Sequence, residues 1–106
     1  MMGMKLESRI SSESGIRKQV LDEIIGLAVK YGVKRVELFG SKARGDYKRT
    51  SDIDLAVRGG DISRFRLDIE EETSTLLKFD IVDLDSQMQD ELRESIRREG
   101  KVLYEK

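Results

Sequence analysis

Leu38-Phe39-Gly40-Ser41-Lys42-Ala43-Arg44-Gly45-Asp46, followed by Ser51-Asp52-Ile53-Asp54-Leu55, is the stretch on which the reading of this chain turns. Residues 33–39 are rich in β-branched and aromatic side chains, which predicts a strand closed by Gly40. Gly40 to Gly45 then reads as a tight turn into a brief helical turn, and residues 46–51 as a polar loop. Residues 52–57 alternate with period two until Gly59-Gly60 breaks the pattern, which predicts a second strand. Asp is depleted in strands, yet Asp52 and Asp54 occupy alternate positions of this one. Residues i and i+2 leave a strand on one face, with Cα atoms roughly 6.5 to 7 Å apart, so two carboxylates converge on one cation site. Taken singly they have a plainer explanation: Asp52 closes the turn and Asp54 is a solvated strand residue. Two like charges on one face repel unless a cation lies between them.

Outward from this centre the pattern is helical on both sides. Ser12 or Ser14 reads as the N-cap of a first helix, whose apolar positions Ile16, Val20, Ile24, Leu27 and Ala28 recur up to Tyr31-Gly32. Residues 1–11 carry little pattern and are expected to be a flexible N-terminus, leaving 12–106 as a single domain. Asp61 caps a second helix with Ile62, Phe65, Ile69, Thr73, Leu76 and Leu77 at the 3.6-residue period. Residues 80–84 predict a third strand. Met88, Leu92 and Ile96 mark a third helix that stops near Gly100, and Val102-Leu103-Tyr104 is read as a short last strand. The fold class expected is α/β (α+β), a small mixed sheet with helices packed mainly on one side.

If the third strand pairs beside the second, Asp80 brings a third carboxylate to the same end of the sheet. Asp83 and Asp85 are further acidic candidates, but Asp83, three residues along, points away from Asp80. Three oxygen ligands suit Mg²⁺, which takes a few carboxylates together with water and substrate phosphates. Two such ions about 3.5 to 4 Å apart activate a hydroxyl and stabilise a leaving pyrophosphate. Gly40-Ser41, between a strand and a helical turn, offers backbone N–H groups and a hydroxyl to a phosphate. An ordinary strand-to-helix turn explains the same two residues. Lys42, Arg44, Lys48 and Arg49 are either a solvated basic loop or the grip on a triphosphate tail opposite the carboxylates.

Composition narrows the chemistry further. The 106 residues make one compact domain, with 20 Lys+Arg against 21 Asp+Glu and a net charge of −1, so no global grip on nucleic acid or an anionic membrane is expected. With no Cys and no His, disulfides, thiolate nucleophiles, imidazole bases and soft-metal sites are excluded. Catalysis must then use carboxylates, Lys, Arg, Ser or a hard metal. No apolar run approaches the ~20 residues of a membrane span, and Met1-Met2-Gly3-Met4-Lys5 lacks the apolar stretch of a leader, so a cytoplasmic location is expected.

Gly40-Ser41, ten intervening residues and Asp52-x-Asp54 together resemble the signature of the polymerase-β-like nucleotidyltransferase superfamily. The longer stretch quoted above, with Asp80-Ile81-Val82-Asp83-Leu84 and residues 92–104, is similar to its minimal nucleotidyltransferase (MNT) domain, over about residues 14–104. The resemblance implies a palm-like fold, a nucleoside triphosphate donor, two Mg²⁺ ions, and transfer of a nucleoside monophosphate to an acceptor hydroxyl. By position, Asp52 and Asp54 would bind both metals, Asp80 would bind the catalytic metal and help deprotonate the acceptor, and Gly40 and Ser41 would hold the donor's phosphates. Arg44 is a further nucleotide-binding candidate. Lys42 stands where many relatives have Arg, which keeps the charge but not the bidentate geometry.

Larger superfamily members carry an acceptor-holding domain for which 106 residues leave no space, so the acceptor is expected to bring its own surface. Minimal members are commonly encoded beside a HEPN-domain toxin and act as its antitoxin by adding AMP from ATP to one of its tyrosines. The resemblance makes that the leading expectation here. Two alternatives stay open: a catalytically silent antitoxin that neutralises its partner stoichiometrically, and a nucleotidyltransferase acting on a small molecule such as an antibiotic. The latter needs an acceptor pocket, which a homo-oligomer could supply.

Overall fold

The computed structural model describes residues 10–106. Its elements are α1 (Lys18–Lys30), β1 (Arg35–Phe39), α2 (Gly40–Arg44), β2 (Ile53–Arg58), α3 (Ile62–Glu72), β3 (Phe79–Asp83), α4 (Asp90–Glu99) and β4 (Lys101–Glu105), preceded by helical residues 10–14. The four strands form one mixed sheet in the order β3-β2-β1-β4. β1 pairs antiparallel with β2 and β4, while β2 and β3, joined through α3, run parallel.

Strand alternation divides the side chains between two faces. Val36, Leu38, Ile53, Leu55, Val57 and Ile81 point into the main core, which Val20, Leu21, Ile24, Leu27 and Ala28 of α1 and Phe65 and Ile69 of α3 complete. The opposite face carries a smaller cluster of Phe39, Ala56, Leu84 and Ile96, against which Val82, Met88 and Leu92 are packed. The two longer amphipathic helices therefore cover one face, as expected. The shorter α4 lies over the other, because Leu92 and Ile96 give it a narrow apolar stripe on an otherwise charged helix.

Three boundaries differ from the sequence reading. The first helix does not start at Ser12 or Ser14. Gly15 at φ +72° interrupts the helical run, and Arg17 in extended backbone opens α1 instead. Ser14 is buried; its hydroxyl donates to Ile10 O at 2.6 Å and accepts from Ile16 N at 3.2 Å, so it ties the break together rather than capping a helix. Of the expected flexible segment, residues 1–9 lie outside the described residues. Ile10 is buried in the core and the Ser11 hydroxyl donates to Ile16 O. The second helix stops at Glu72, short of Leu76 and Leu77. Thr73 turns to extended backbone, Leu76 is fully exposed, and Leu77 reaches the core from the following loop. Asp61 does cap that helix, accepting from Arg64 N at 3.2 Å. No helix among the described residues is long and apolar enough to cross a membrane.

Two turns interlock at the end of the sheet where β2 finishes. Gly32 ends α1 in the left-handed region, Gly60 at φ +73° turns from β2 into α3, and Asp61 N donates to Tyr31 O at 2.9 Å. A Cβ on residue 60 would lie 2.5 Å from the backbone of residues 31–33, which no side-chain movement relieves. Gly60→Ala combines that overlap with a positive φ and is expected to destabilise the fold by at least about 1–3 kcal/mol in chemical denaturation. An unchanged midpoint would show that the two turns can separate at no cost.

Candidate active site

The register of the sheet assembles the acidic end. In β2, Asp54 is the Cα partner of Phe39 in β1 and of Asp80 in β3, so the two carboxylates stand side by side on adjacent parallel strands. Asp52, two residues earlier, lies just outside the strand at the same end. Asp54 is partly buried, and this burial, followed by the charges of Asp80 and Asp52, pushes its carboxyl up to about 6; Arg44 opposes the shift. The three carboxylates thus interact electrostatically, as sequence spacing anticipated. Asp83 falls opposite Val57, three residues beyond Asp80, and belongs to the far end of the strand.

Gly40 is the residue that allows this approach. It sits at φ +77° immediately after β1, and a Cβ there would overlap the Asp54 Oδ2 atom. Only glycine combines that backbone conformation with that closeness. Ser41 follows in the first turn of α2, half-buried and adjacent in the chain to Gly40. Gly40, Ser41, Asp52, Asp54 and Asp80 are therefore gathered at one end of β1, β2 and β3.

The basic residues divide. Arg44 is half-exposed and held from two sides, its Nε donating to Asp46 at 3.2 Å and its Nη1 to Glu99 of α4 at 3.1 Å. Its charge is felt at Asp54, where it opposes the upward shift of that carboxyl. Lys42 is not the solvated or phosphate-gripping residue its place in the motif suggested. It is almost fully buried, burial lowers its pKa, and its ammonium lies 4.5 Å from the Tyr47 ring centroid, so it pins the loop after α2. Lys48 and Arg49 are exposed. Glu99 escaped the sequence reading because it is 55 residues from Arg44 and no local pattern links them. Asp46, two residues from Arg44, was within reach of one.

The donor set suits a hard divalent cation. It is all carboxylate oxygen, and its like charges raise the proton affinity of Asp54 where a cation would relieve them. Among the described residues no group of three or more acidic side chains is arranged as it stands to hold a metal ion. Asp54 and Asp80 are neighbours in the sheet, and Asp52 and Asp80 are exposed to solvent.

With this geometry in place, comparison with known proteins decides the family. Residues 22–106 match the model of the polymerase beta nucleotidyltransferase family. The chain belongs to that family. It is 41% identical over 59 residues to "Putative protein adenylyltransferase MJ0435" of Methanocaldococcus jannaschii, covering 50% of this chain and 63% of that protein. It is 35% identical over 98 residues to "Putative protein adenylyltransferase MJ0604" of the same organism, covering 82% of this chain and 96% of that one. Among solved structures, it is similar to a toxin-antitoxin crystallised with AMP-PNP, at 28% identity and a TM-score of 0.66 over 81% of this chain and 73% of that chain. The resemblance drawn from the Gly-Ser and Asp-x-Asp motifs, and the mixed α/β fold it implied, are borne out.

The raised Asp54 carboxyl has a consequence for stability. Between the ordinary Asp value of 3.8 and about 6 the folded state binds more protons than the unfolded state, so this residue's contribution falls as pH rises through that window. In metal-free buffer, Asp54→Asn should therefore raise the melting temperature at pH 7.5, with the difference shrinking toward pH 4. A variant less stable than wild type at pH 7.5 would show that Asp54 is held by favourable contacts rather than repelled.

Proposed function

We propose that the chain is a Mg²⁺-dependent protein adenylyltransferase that moves AMP from ATP to a tyrosine hydroxyl of a partner toxin of the HEPN class, and thereby acts as its antitoxin. The observation that carries this reading is the side-by-side placement of Asp54 and Asp80 on parallel strands, with Asp52 adjoining and Gly40, the residue before Ser41, packed against Asp54. Support for AMP as the transferred group comes from the names of the M. jannaschii relatives, and support for a toxin partner from the toxin-antitoxin neighbour.

Asp52 and Asp54 would hold both metal ions and Asp80 the one nearer the acceptor. Bound there, Mg²⁺ would supply charge neutralisation for the triphosphate and a lowered pKa for the acceptor hydroxyl. The protein's own residues do the rest. Gly40 lets the backbone come close to the donor phosphates, and the Ser41 hydroxyl donates to a phosphate oxygen. Arg44, fixed by Asp46 and Glu99, sets a positive charge near the same tail. Asp80, on the edge strand and exposed, is the carboxylate best placed to accept the acceptor's proton. The acceptor oxygen attacks the α-phosphorus, the bond to the β-phosphate oxygen breaks, and pyrophosphate leaves.

A stoichiometric antitoxin with a silent site is the reading to be separated from this one. Purified protein, labelled ATP and Mg²⁺ are incubated with the protein encoded beside it, and label is followed by intact mass. A gain of one or more AMP units on the partner is expected. Asp52→Asn and Asp54→Asn should each lower the rate by more than about 100-fold, beyond the roughly 10–100-fold typical of outer partners of metal ligands. A stable complex with no mass gain would overturn the enzymatic reading.

A further inference from the structure

The face of the sheet that carries Asp54 ends, four residues further along β2, in a cluster of arginines. Arg58 is the Cα partner of Arg35 in the antiparallel β1–β2 ladder, so two like charges stand directly opposite each other. Arg93 and Arg97 of α4, spaced i and i+4, add a second like-charged pair. All four line one cleft of about 280 Å³ over the apolar floor of Leu84 and Ile96. Like charges opposed across a ladder, or one turn apart on a helix, each destabilise the fold, so packing alone gives no reason to gather two such pairs round one cleft.

Their carboxylate partners only partly offset them. Glu37 is the one acidic residue lining the cleft, and Arg35 Nε donates to it at 3.0 Å. Arg35 also pairs with Glu105 on β4, and Arg58 Nε with Asp85 at 3.1 Å. Among the described residues Arg93 meets no carboxylate: its guanidinium donates to the carbonyls of Leu84 at 3.4 Å and Ser86 at 3.3 Å, which orient it without neutralising it. Arg97 is three-quarters exposed and 3.9 Å from Glu94. Two guanidiniums thus keep most of their charge, and two more are held in place beside them.

The geometry points to a second anion site, remote from the carboxylates, that takes a compact, multiply charged phosphate group such as an inorganic polyphosphate or the phosphate tail of a nucleotide. Planar guanidinium forks converging on a cleft suit the several oxygens of a polyphosphate. The four guanidiniums gather round one open cleft rather than along a line, which favours a compact anion over an extended backbone. The acidic and basic ends lie roughly 13 Å apart along the strands, at about 3.3 Å per residue. They are therefore separate sites, and this one needs no divalent cation.

The test is calorimetric titration of the whole protein with sodium tripolyphosphate in EDTA-containing buffer, where the carboxylate end repels anions and no transfer occurs. Failure of the enzymatic reading would leave this result untouched. Saturable 1:1 binding is expected, weakened about tenfold or more in Arg93→Gln/Arg97→Gln, on the scale of losing charged hydrogen bonds. Arg97→Gln alone, which among the described residues removes only a long, exposed ion pair to Glu94 at 3.9 Å, should weaken it measurably with an unchanged melting temperature. Lys48→Gln, which removes an equal charge from an exposed loop, should leave it unchanged. ATP binding with the same affinity and the same arginine dependence would support free polyphosphate as the source, and tighter ATP binding would support a nucleotide. Absence of binding, or equal binding to the arginine variants, overturns the proposal. So would capture of a hexaglutamate peptide without capture of tripolyphosphate, which would make the cleft a dock for an acidic protein segment.

Discussion

Everything at the acidic end depends on Asp54 being wedged between two neighbours it cannot avoid. On one side the antiparallel register sets Phe39 beside it and brings Gly40 so close that no side chain fits; on the other, the parallel register sets Asp80 beside it. The main core enforces both registers. A slip of one residue in β2 would move Ile53, Leu55 and Val57 out of the core and put Asp54 into it, so hydrophobic burial holds two carboxylates together against their repulsion. Stability gained by the core is in this way transmitted to a local arrangement that is itself unfavourable without a cation.

That division of labour explains what could be read from the residues beforehand. Period-two alternation over residues 52–57 and the helical spacing of Val20, Ile24 and Leu27 follow directly from burial on one face, and both elements appear where those patterns lie. Asp54 and Asp80 were legible because carboxylates on strands have few structural reasons to be there, and Asp52, just before β2, by its spacing from Asp54. The start of α1 was not, since Ser12 and Ser14 have the chemistry of a cap but Gly15 breaks the helix before either can act as one. Lys42 was misjudged for a related reason. A charge in a glycine-flanked basic loop normally stays in water, and only the tertiary placement of Tyr47 gives its ammonium an alternative to solvation. The Arg44–Glu99 pair joins α2 to α4 across 55 residues, beyond the reach of any local pattern.

One face of the sheet carries both charged ends, with Ala56, Leu84 and Ile96 between them. Within a chain of net charge −1 this is a strong internal separation, carboxylates at the start of β2 and β3 and guanidiniums at the end of β2. Such a dipole orients an anion toward the basic end and a cation toward the acidic end once it comes within the roughly 8 Å over which physiological salt leaves charges unscreened.

The most direct measurement is a crystal structure of the protein grown with Mn²⁺ in place of Mg²⁺ and a non-hydrolysable ATP analogue, with the metal located by its anomalous signal. Manganese bound by Asp52 and Asp54, a second ion reaching Asp80, and the analogue's phosphates against Gly40 and Ser41 are predicted. Ordered nucleotide with no metal at these carboxylates, or metal bound elsewhere, would contradict the assignment of this end of the sheet as the catalytic centre.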